Sequence, residues 1–278
     1  MKLTFLGTGT SFGIPVIGCG CEVCTSSDLR DRRTRHAALV SWEDGRTVLV
    51  DTPPELRLQL VRAGVERVDA VWFTHIHADH VHGIDDLRIF SIRTRTSIEA
   101  YTSGETREAL ERRFDYIFDP GIRPGKGSSK PQITLKTLVP NQPTELAGEA
   151  FVPLEVPHGS MRVLGFRVGA LGYITDAKRL PARTLEALEG VRVLVLNALW
   201  WGSPHPSHFS VEEAVETATR VGAEKTFLTH FSHRVSHAEL DRNLPPEVSA
   251  AFDGLTVEIP DDTKGALEVT EPAPGPNP

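Results

Sequence analysis

The segment Thr74-His75-Ile76-His77-Ala78-Asp79-His80, set directly after the apolar run Val68-Asp69-Ala70-Val71-Trp72-Phe73, constrains this chain more than any other feature. Four metal-capable side chains fall within six residues, which marks a metal site. His75 and His77 stand two apart at the mouth of a strand and project to the same side. Asp79 and His80 come where the chain turns into a helix and aim at a second point. One short loop can thereby grip two ions.

Further candidate ligands also follow apolar strands. Asp51 comes after Val48-Leu49-Val50, His158 after Leu154-Glu155-Val156-Pro157, Asp176 after Tyr173-Ile174-Thr175, and His230 after Phe227-Leu228-Thr229. Five elements thus deliver polar groups to one edge. The first half predicts strands over 2–6, 37–41, 47–51 and 70–73, with helices over 55–63 and 105–113. The second half predicts strands over 151–156, 164–168, 172–175, 193–196 and 225–229, and a short helix over 184–188. Ser210, with Glu213 three residues on, forms a capping box that opens a helix over 211–221. Runs of strands with helices set between some of them indicate sheet packed on sheet with helices outside. Residues 119–131, with Gly121, Pro124, Gly125 and Gly127, read as a mobile surface loop. Residues 1–270 read as a single domain and 271–278 as a disordered tail.

Composition narrows the partners. The net charge of -7 argues against broad adhesion to nucleic acid, because phosphate backbones are held mainly by Lys and Arg. Gly7 and Gly9 stop the first apolar run too early for a signal peptide, and no stretch approaches a membrane span, so a cytoplasmic protein is expected. Three cysteines, all between Cys19 and Cys24, suit metal ligation in a reducing compartment better than a disulfide framework.

The order His-x-His-x-Asp-His, then a lone His, a lone Asp and a late His after successive strands, resembles the metallo-β-lactamase superfamily over most of the chain. The resemblance implies an α/β fold, a four-layer αββα sandwich with a dinuclear centre at one sheet edge. Carried over residue by residue, it implies that His75, His77 and His158 hold one ion, that Asp79, His80 and His230 hold the other, and that Asp176 bridges them. Asp51 would support the ligand loop by hydrogen bonding. Two divalent ions, two carboxylates and a bridging hydroxide leave about one positive charge for an anionic oxygen. An acidic protein can therefore bind a phosphodiester. Ions about 3.5–4 Å apart lower the pKa of the water between them and stabilise both attacking and leaving oxygens. Imidazole suits Zn and carboxylate suits Mn or Mg, so the mixed set leaves Zn, Mn and Fe open.

Cys19-Gly20-Cys21-Glu22-Val23-Cys24 supplies three thiolates within six residues, and a tetrahedral structural zinc needs a fourth ligand. Gly7-Thr8-Gly9-Thr10-Ser11, then Gly13-Ile14-Pro15, then this cluster, resemble a narrower branch: the PhnP-like phosphodiesterases acting on cyclic ribose phosphates in phosphonate breakdown. In that branch a His three residues past the last catalytic-site His completes the structural zinc. His230-Phe231-Ser232-His233 fits, which implies His233 as the fourth ligand.

Expelling an alkoxide from a phosphodiester at neutral pH requires protonation of the leaving oxygen, and His is the usual donor. His208, before Phe209-Ser210-Val211-Glu212-Glu213-Ala214, is similar to the family's non-ligand His that precedes a helix, and is preferred over His205. Asp79 and His208 are thus the candidate catalytic residues. His205, His36 and His237 read as loop residues, His82 as facing the ligand helix, and Asp85 and Asp86 as solvated or helix-supporting. Arg30, Arg32, Arg33 and Arg35 read as a solvated face, and Trp200 and Trp201 as pocket wall or core. The expected activity is hydrolysis of small cyclic phosphodiesters, cyclic ribose phosphates or cyclic nucleotides, by a hydroxide held between two ions. Rival readings of the same fold are a tRNA 3′-processing endonuclease and a pyrroloquinoline-quinone-biosynthesis protein. Only seventeen residues separate His158 from Asp176, too few for a tRNA-gripping arm. The intact ligand set favours hydrolysis over the quinone-biosynthesis reading. Homodimers are common among such relatives, and the same is expected here by analogy.

Overall fold

The computed structural model describes residues 1–260 and 265–272. Two mixed sheets form its centre. The chain lays down β1 (Lys2–Gly7), β2 (Ala37–Ser41), β3 (Thr47–Val50), β4 (Ala70–Trp72), β5 (Ile98–Thr102) and β6 (Ile133–Thr137) in one sheet. It then builds the other from β7 (Thr144–Leu146), β8 (Glu149–His158), β9 (Met161–Val168), β10 (Leu171–Tyr173), β11 (Val193–Asn197), β12 (Lys225–Thr229) and β13 (Val248–Ala250). It returns to the first sheet with β14 (Thr256–Glu258) and β15 (Glu268–Thr270), which pair outside β1. Each sheet changes character midway. β1 to β3 and β7 to β10 are antiparallel with their neighbours, whereas β3 to β6 and β10 to β13 run parallel.

The helices are α1 (Leu56–Arg62), α2 (Ala78–Val81), α3 (Arg88–Thr94), α4 (Gly104–Arg113), α5 (Asp115–Phe118), α6 (Ala182–Ala187), α7 (Val211–Val221) and α8 (His237–Asn243). Side-chain alternation explains how they stack. Val48, Val50, Ala70 and Trp72 enter the cluster between the sheets, while Leu49 and Val71 enter the cluster under α1, α3 and α4. In the other sheet Val193, Val195 and Phe227 face inward, and Leu194, Leu196 and Leu228 meet Val211, Ala214 and Ala218 of α7. Three apolar interfaces therefore separate four layers, helix, sheet, sheet, helix. Strands buried on both faces read as continuous apolar runs, which is why they are legible in sequence. Between the sheets Trp72 stacks on Phe151 with centroids 5.8 Å apart, and its Nε1–H donates to the Leu164 carbonyl at 2.8 Å.

Most expected elements occur within two or three residues of their bounds. The helix over 211–221 forms with its capping box, Ser210 Oγ accepting from Glu213 N and Glu213 accepting from Ser210 N. Residues 119–131 carry no helix or strand. Of the expected tail, 273–278 lie outside the described residues, and Glu271 and Pro272 are exposed. Among the described residues no helix is long and apolar enough to cross a membrane.

Candidate metal centre

The carboxyl ends of β3, β4, β8, β10 and β12 converge on one edge, and each ends in or is followed by one of the polar groups singled out in the sequence, His158 being the last residue of β8. Asp51, Asp176 and His230 take the left-handed backbone conformation, with φ of 62°, 51° and 63°. Such a conformation is uncommon outside glycine and least unfavourable for residues such as Asp and His. It turns the chain sharply off each strand. Each corner is held by a backbone bond: Asp51 N to Trp72 O, Ile174 N to Val195 O two residues before Asp176, and Phe231 N to Thr8 O.

Two groups of donor atoms result. His75, His77 and His158 form one, and Asp79, His80 and His230 the other. Asp176 gathers with His75 and His80 on one side and with His158 and His208 on another, so it stands between the two groups. Orientation is imposed from outside. His80 donates through Nδ1 to Asp51 Oδ2 at 2.7 Å, His158 donates through Nδ1 to the Ser207 carbonyl at 3.1 Å, and Thr74 donates through N and Oγ1 to Asp51 at 2.8 Å each. The Nε2 atoms of His80 and His158 are left to face the centre.

The spacings fit an ion better than direct hydrogen bonding. His80 Nε2 lies 3.3 Å from Asp176 Oδ2 and 3.5 Å from Asp79 Oδ2, and His230 Nε2 lies 3.2 Å from Asp176 Oδ1. Nitrogen and oxygen ligands held ~2.0–2.1 Å from a tetrahedral ion stand roughly 3.3 Å apart. His80 Nε2 and His230 Nε2 are buried without a hydrogen-bond partner among the described residues, an arrangement that is unfavourable unless something else occupies the space between them. His75 Nε2 and His77 Nδ1 are closer, 2.9 Å.

The electrostatics favour a cation. Burial lowers the pKa of His75, His77 and His158, and takes His230 down to about 4. Burial also opposes charge on His80, but the carboxylates of Asp176, Asp79 and Asp51 outweigh it and raise His80 well above the usual imidazole range. Burial raises the Asp79 and Asp176 carboxyls as well. For Asp79 the His80 imidazole dominates, and for Asp176 the His230 and His80 imidazoles dominate, so both end below the usual carboxylate range. The site stabilises positive charge inside a buried pocket.

A second cluster stands beside this edge. The Sγ atoms of Cys19, Cys21 and Cys24 lie 3.3, 3.5 and 3.7 Å from His233 Nδ1. Tetrahedral zinc with Zn–S ~2.3 Å and Zn–N ~2.0–2.1 Å separates such atoms by roughly 3.6 Å, so this donor set fits zinc. The Cys24 backbone N–H donates to Cys21 Sγ at 3.5 Å and holds that thiol down to about 6, whereas burial pushes Cys24 up to about 11. Val16 N–H donates to Cys24 Sγ at 3.3 Å. Residues 8–28 contain no helix or extended strand; backbone bonds tie residues 8–14 to Arg33, Thr34 and Phe231, and the cysteine-bearing part is held by local bonds. Cys21→Ala is expected to lose the capacity to hold zinc there, with a fall of roughly 6–12 °C in Tm. Metal analysis finding no thiolate-bound zinc in the unmutated protein, together with an unchanged Tm for the variant, would overturn the assignment.

The remaining expectations divide. His208 lies at the centre, its Nε2 2.7 Å from Asp176 Oδ1, and His205 is a loop residue beside it. Of the other two histidines expected as loop residues, His36 is one but is not exposed, and His237 needs correction. His36 precedes β2 but is wholly buried, accepts from Tyr173 Oη at 2.9 Å, and has its ring 5.5 Å from that of His80. His237 is the first residue of α8 and is buried against Phe252. The basic run is not a uniform solvated face. Arg33 is fully buried, paired with Asp31 at 3.2 Å and lying over the Phe231 ring at 4.9 Å; Arg35 pairs with Glu55 and Arg30 with Asp28. His82 is exposed and edge-on to Phe114. Asp85 pairs with Arg88, and Asp86 is half-buried. Trp200 and Trp201 are half-buried near the His205–His208 loop.

Residues 46–231 match the model of the beta-lactamase superfamily domain. A solved diphosphatase from the PhnP family superposes with a TM-score of 0.84 at 38% identity, over 92% of this chain and 95% of that one. An octanoyltransferase from Porphyromonas gingivalis is 36% identical over 95% of this chain, which spans only 52% of that relative's length. A ribonuclease Z from Pyrobaculum calidifontis is 24% identical over 94% of this chain and 96% of its own length.

Proposed function

The chain belongs to the beta-lactamase superfamily and, within it, to the PhnP family, and from that premise we propose that it hydrolyses small phosphodiesters, cyclic ribose phosphates or cyclic nucleotides, with two divalent ions. It is a metallohydrolase. His75, His77 and His158 would hold one ion, Asp79, His80 and His230 the other, with Asp176 shared and Asp51 orienting His80. Bound there, Zn or Mn supplies Lewis acidity toward a phosphoryl oxygen and lowers the pKa of a water. Cys19, Cys21, Cys24 and His233 would hold a structural zinc apart from the chemistry.

The observation that carries the reading is a contrast in distance. His80 and His230 stand off Asp176 at 3.3 and 3.2 Å, as two ligands of one ion do, whereas His208 closes to a 2.7 Å hydrogen bond. His208 thus behaves as a proton carrier at the rim of the donor set. As the P–O bond to the leaving oxygen breaks, the His208 Nε2 proton passes to that oxygen, and Asp176 Oδ1 holds the ring in place. His158, hung from the Ser207 carbonyl, keeps the loop bearing His208 against the centre.

The diphosphatase relative favours a second reading, cleavage of a P–O–P linkage, in which the leaving group is itself a phosphate. A tRNA substrate is disfavoured: β8 and β9 are joined by Gly159-Ser160, so no arm projects between His158 and Asp176. The octanoyltransferase relative is about twice as long as this chain. Protein loaded separately with Zn, Mn and Fe should be assayed on cyclic ribose phosphates, cyclic nucleotides, bis(p-nitrophenyl) phosphate and dinucleoside diphosphates. Turnover of the cyclic diesters above the diphosphates is expected. Preference for diphosphates would transfer the assignment to the second reading, and inactivity on all with both ions bound would end both.

A further inference from the structure

The rings of one donor group are not all held in the same way. His75 Nδ1 lies 3.0 Å from Thr74 Oγ1, and His158 Nδ1 donates to the Ser207 carbonyl at 3.1 Å. His77 has no such support. It is exposed, and among the described residues its ring nitrogens meet only a fellow member of the group, His75 Nε2, 2.9 Å from His77 Nδ1. The direction of this imidazole is therefore set by the backbone it leaves from. That backbone crosses a gap between two anchors. The Thr74 carbonyl accepts from Leu164 N at 3.0 Å, and the His77 carbonyl accepts from His80 N at 3.0 Å, where α2 begins. Between them, among the described residues, the main chain of His75 and Ile76 has one hydrogen-bond partner: Arg113 Nη1 donates to the Ile76 carbonyl at 2.7 Å.

We infer that Arg113 is a positioning residue for His77, and that its guanidinium fixes the peptide from which His77 is presented to the ion. The inference rests on the reading that His75, His77 and His158 hold one of two ions. The carbonyl of Ile76 and the nitrogen of His77 belong to one planar peptide unit, so a hold on the first is a hold on the second. The hold comes from a firm base. Arg113 ends α4, whose first turn is capped by Ser103 Oγ accepting from Thr106 N at 3.1 Å. Leu110 of that helix is buried in the apolar cluster against which Ile76 and Phe114 also pack. Among the described residues Arg113 has no carboxylate partner, so no ion pair draws the guanidinium away. An exposed bond of this kind adds little to folding. Metal affinity is more demanding, because a ligand must be placed to within about 0.5 Å. Stability and affinity should thus respond differently to its loss.

Arg113→Met keeps the aliphatic stem and removes the donors, whereas Arg113→Lys keeps a charged donor. Both are made in the full chain, with and without His77→Ala. Zinc binding to chelator-treated protein is titrated against a chromogenic competitor, beside the Tm of the metal-depleted protein and hydrogen exchange across residues 75–77. Arg113→Met is expected to weaken roughly 10–100-fold the binding step that His77→Ala also weakens, to speed exchange across 75–77, and to leave Tm within about 2 °C. In the His77→Ala background it should add less than about twofold, since it acts through His77. Arg113→Lys should recover most of the affinity. The inference is overturned if Arg113→Met binds zinc within about twofold of the unmutated protein, if its loss persists undiminished in His77→Ala, or if it comes with a matching fall in Tm, the mark of a merely structural role. Unmutated protein whose zinc binding ignores His77→Ala refutes the two-ion reading, whereas a silent Arg113→Met beside a weakened His77→Ala refutes only the role of Arg113.

Discussion

Replacing Asp176 with alanine is expected to lower kcat/KM about 10⁴-fold, some 5.5 kcal/mol of transition-state stabilisation, and to strip metal from the purified protein. Asp176 is 2% exposed and lies within reach of donors of both groups. Its Oδ2 stands 3.3 Å from His80 Nε2 and its Oδ1 3.2 Å from His230 Nε2 and 2.7 Å from His208 Nε2. Losing it would therefore disturb both proposed ion positions and His208, the proposed proton donor, together. Because it is buried, its removal also leaves His80 with fewer carboxylates to offset its charge, so apo-protein stability falls as well. Metal content, activity and thermal denaturation of the same preparation check the argument. A variant that keeps two ions per centre and a tenth or more of the activity, roughly 1.4 kcal/mol or less of loss, would show that Asp176 is not the shared group.

Replacing His208 with alanine is expected to leave the metals bound and to lower kcat by about 10²–10⁴-fold on alkyl diesters. The size should depend on the leaving group. An alkoxide departs poorly unless protonated, whereas p-nitrophenolate departs readily as the anion. The loss on bis(p-nitrophenyl) phosphate should therefore be smaller, roughly tenfold or less, for a residue whose work is proton donation. Equal losses on both substrates would mean that His208 binds or positions rather than protonates. Loss of metal would make it a ligand.

How much of this is visible in the sequence depends on what fixes each residue. Strands such as β3, β11 and β12 are buried on both faces and announce themselves as apolar runs, so the polar residues that follow them, Asp51 and His230 among them, are easy to place at strand ends. The capping box at Ser210 and Glu213 is a local pattern and is read locally. The short strands at the sheet margins, β6, β7, β13, β14 and β15, owe their pairing to distant neighbours and leave little trace in their own residues. Arg33 misleads for the same reason. A charged residue in a basic run reads as solvated, and only the fold shows that Asp31, Phe231 and the Val235 carbonyl surround Arg33. Nor does sequence reveal which histidines face each other; the folded loop alone sets His205 against His208.

The left-handed corners at Asp51, Asp176 and His230 separate the two proposed metal positions in kind. Each corner carries a small conformational penalty, of order 1 kcal/mol, that the strand ladder and its flanking backbone bonds sustain whether or not an ion is present. The dinuclear position is in that sense a seat: its shape belongs to the sheets, and ions could leave and be replaced without any rearrangement of the chain. The cysteine position is a fastener. Its three sulfurs sit on a loop without regular structure and its fourth ligand on another segment, so an ion there would add to the backbone bonds that tie Thr8 and Thr10 to Phe231. Mild chelation should accordingly empty the first while the protein stays folded, and only stripping the second should let the edge of the molecule come undone.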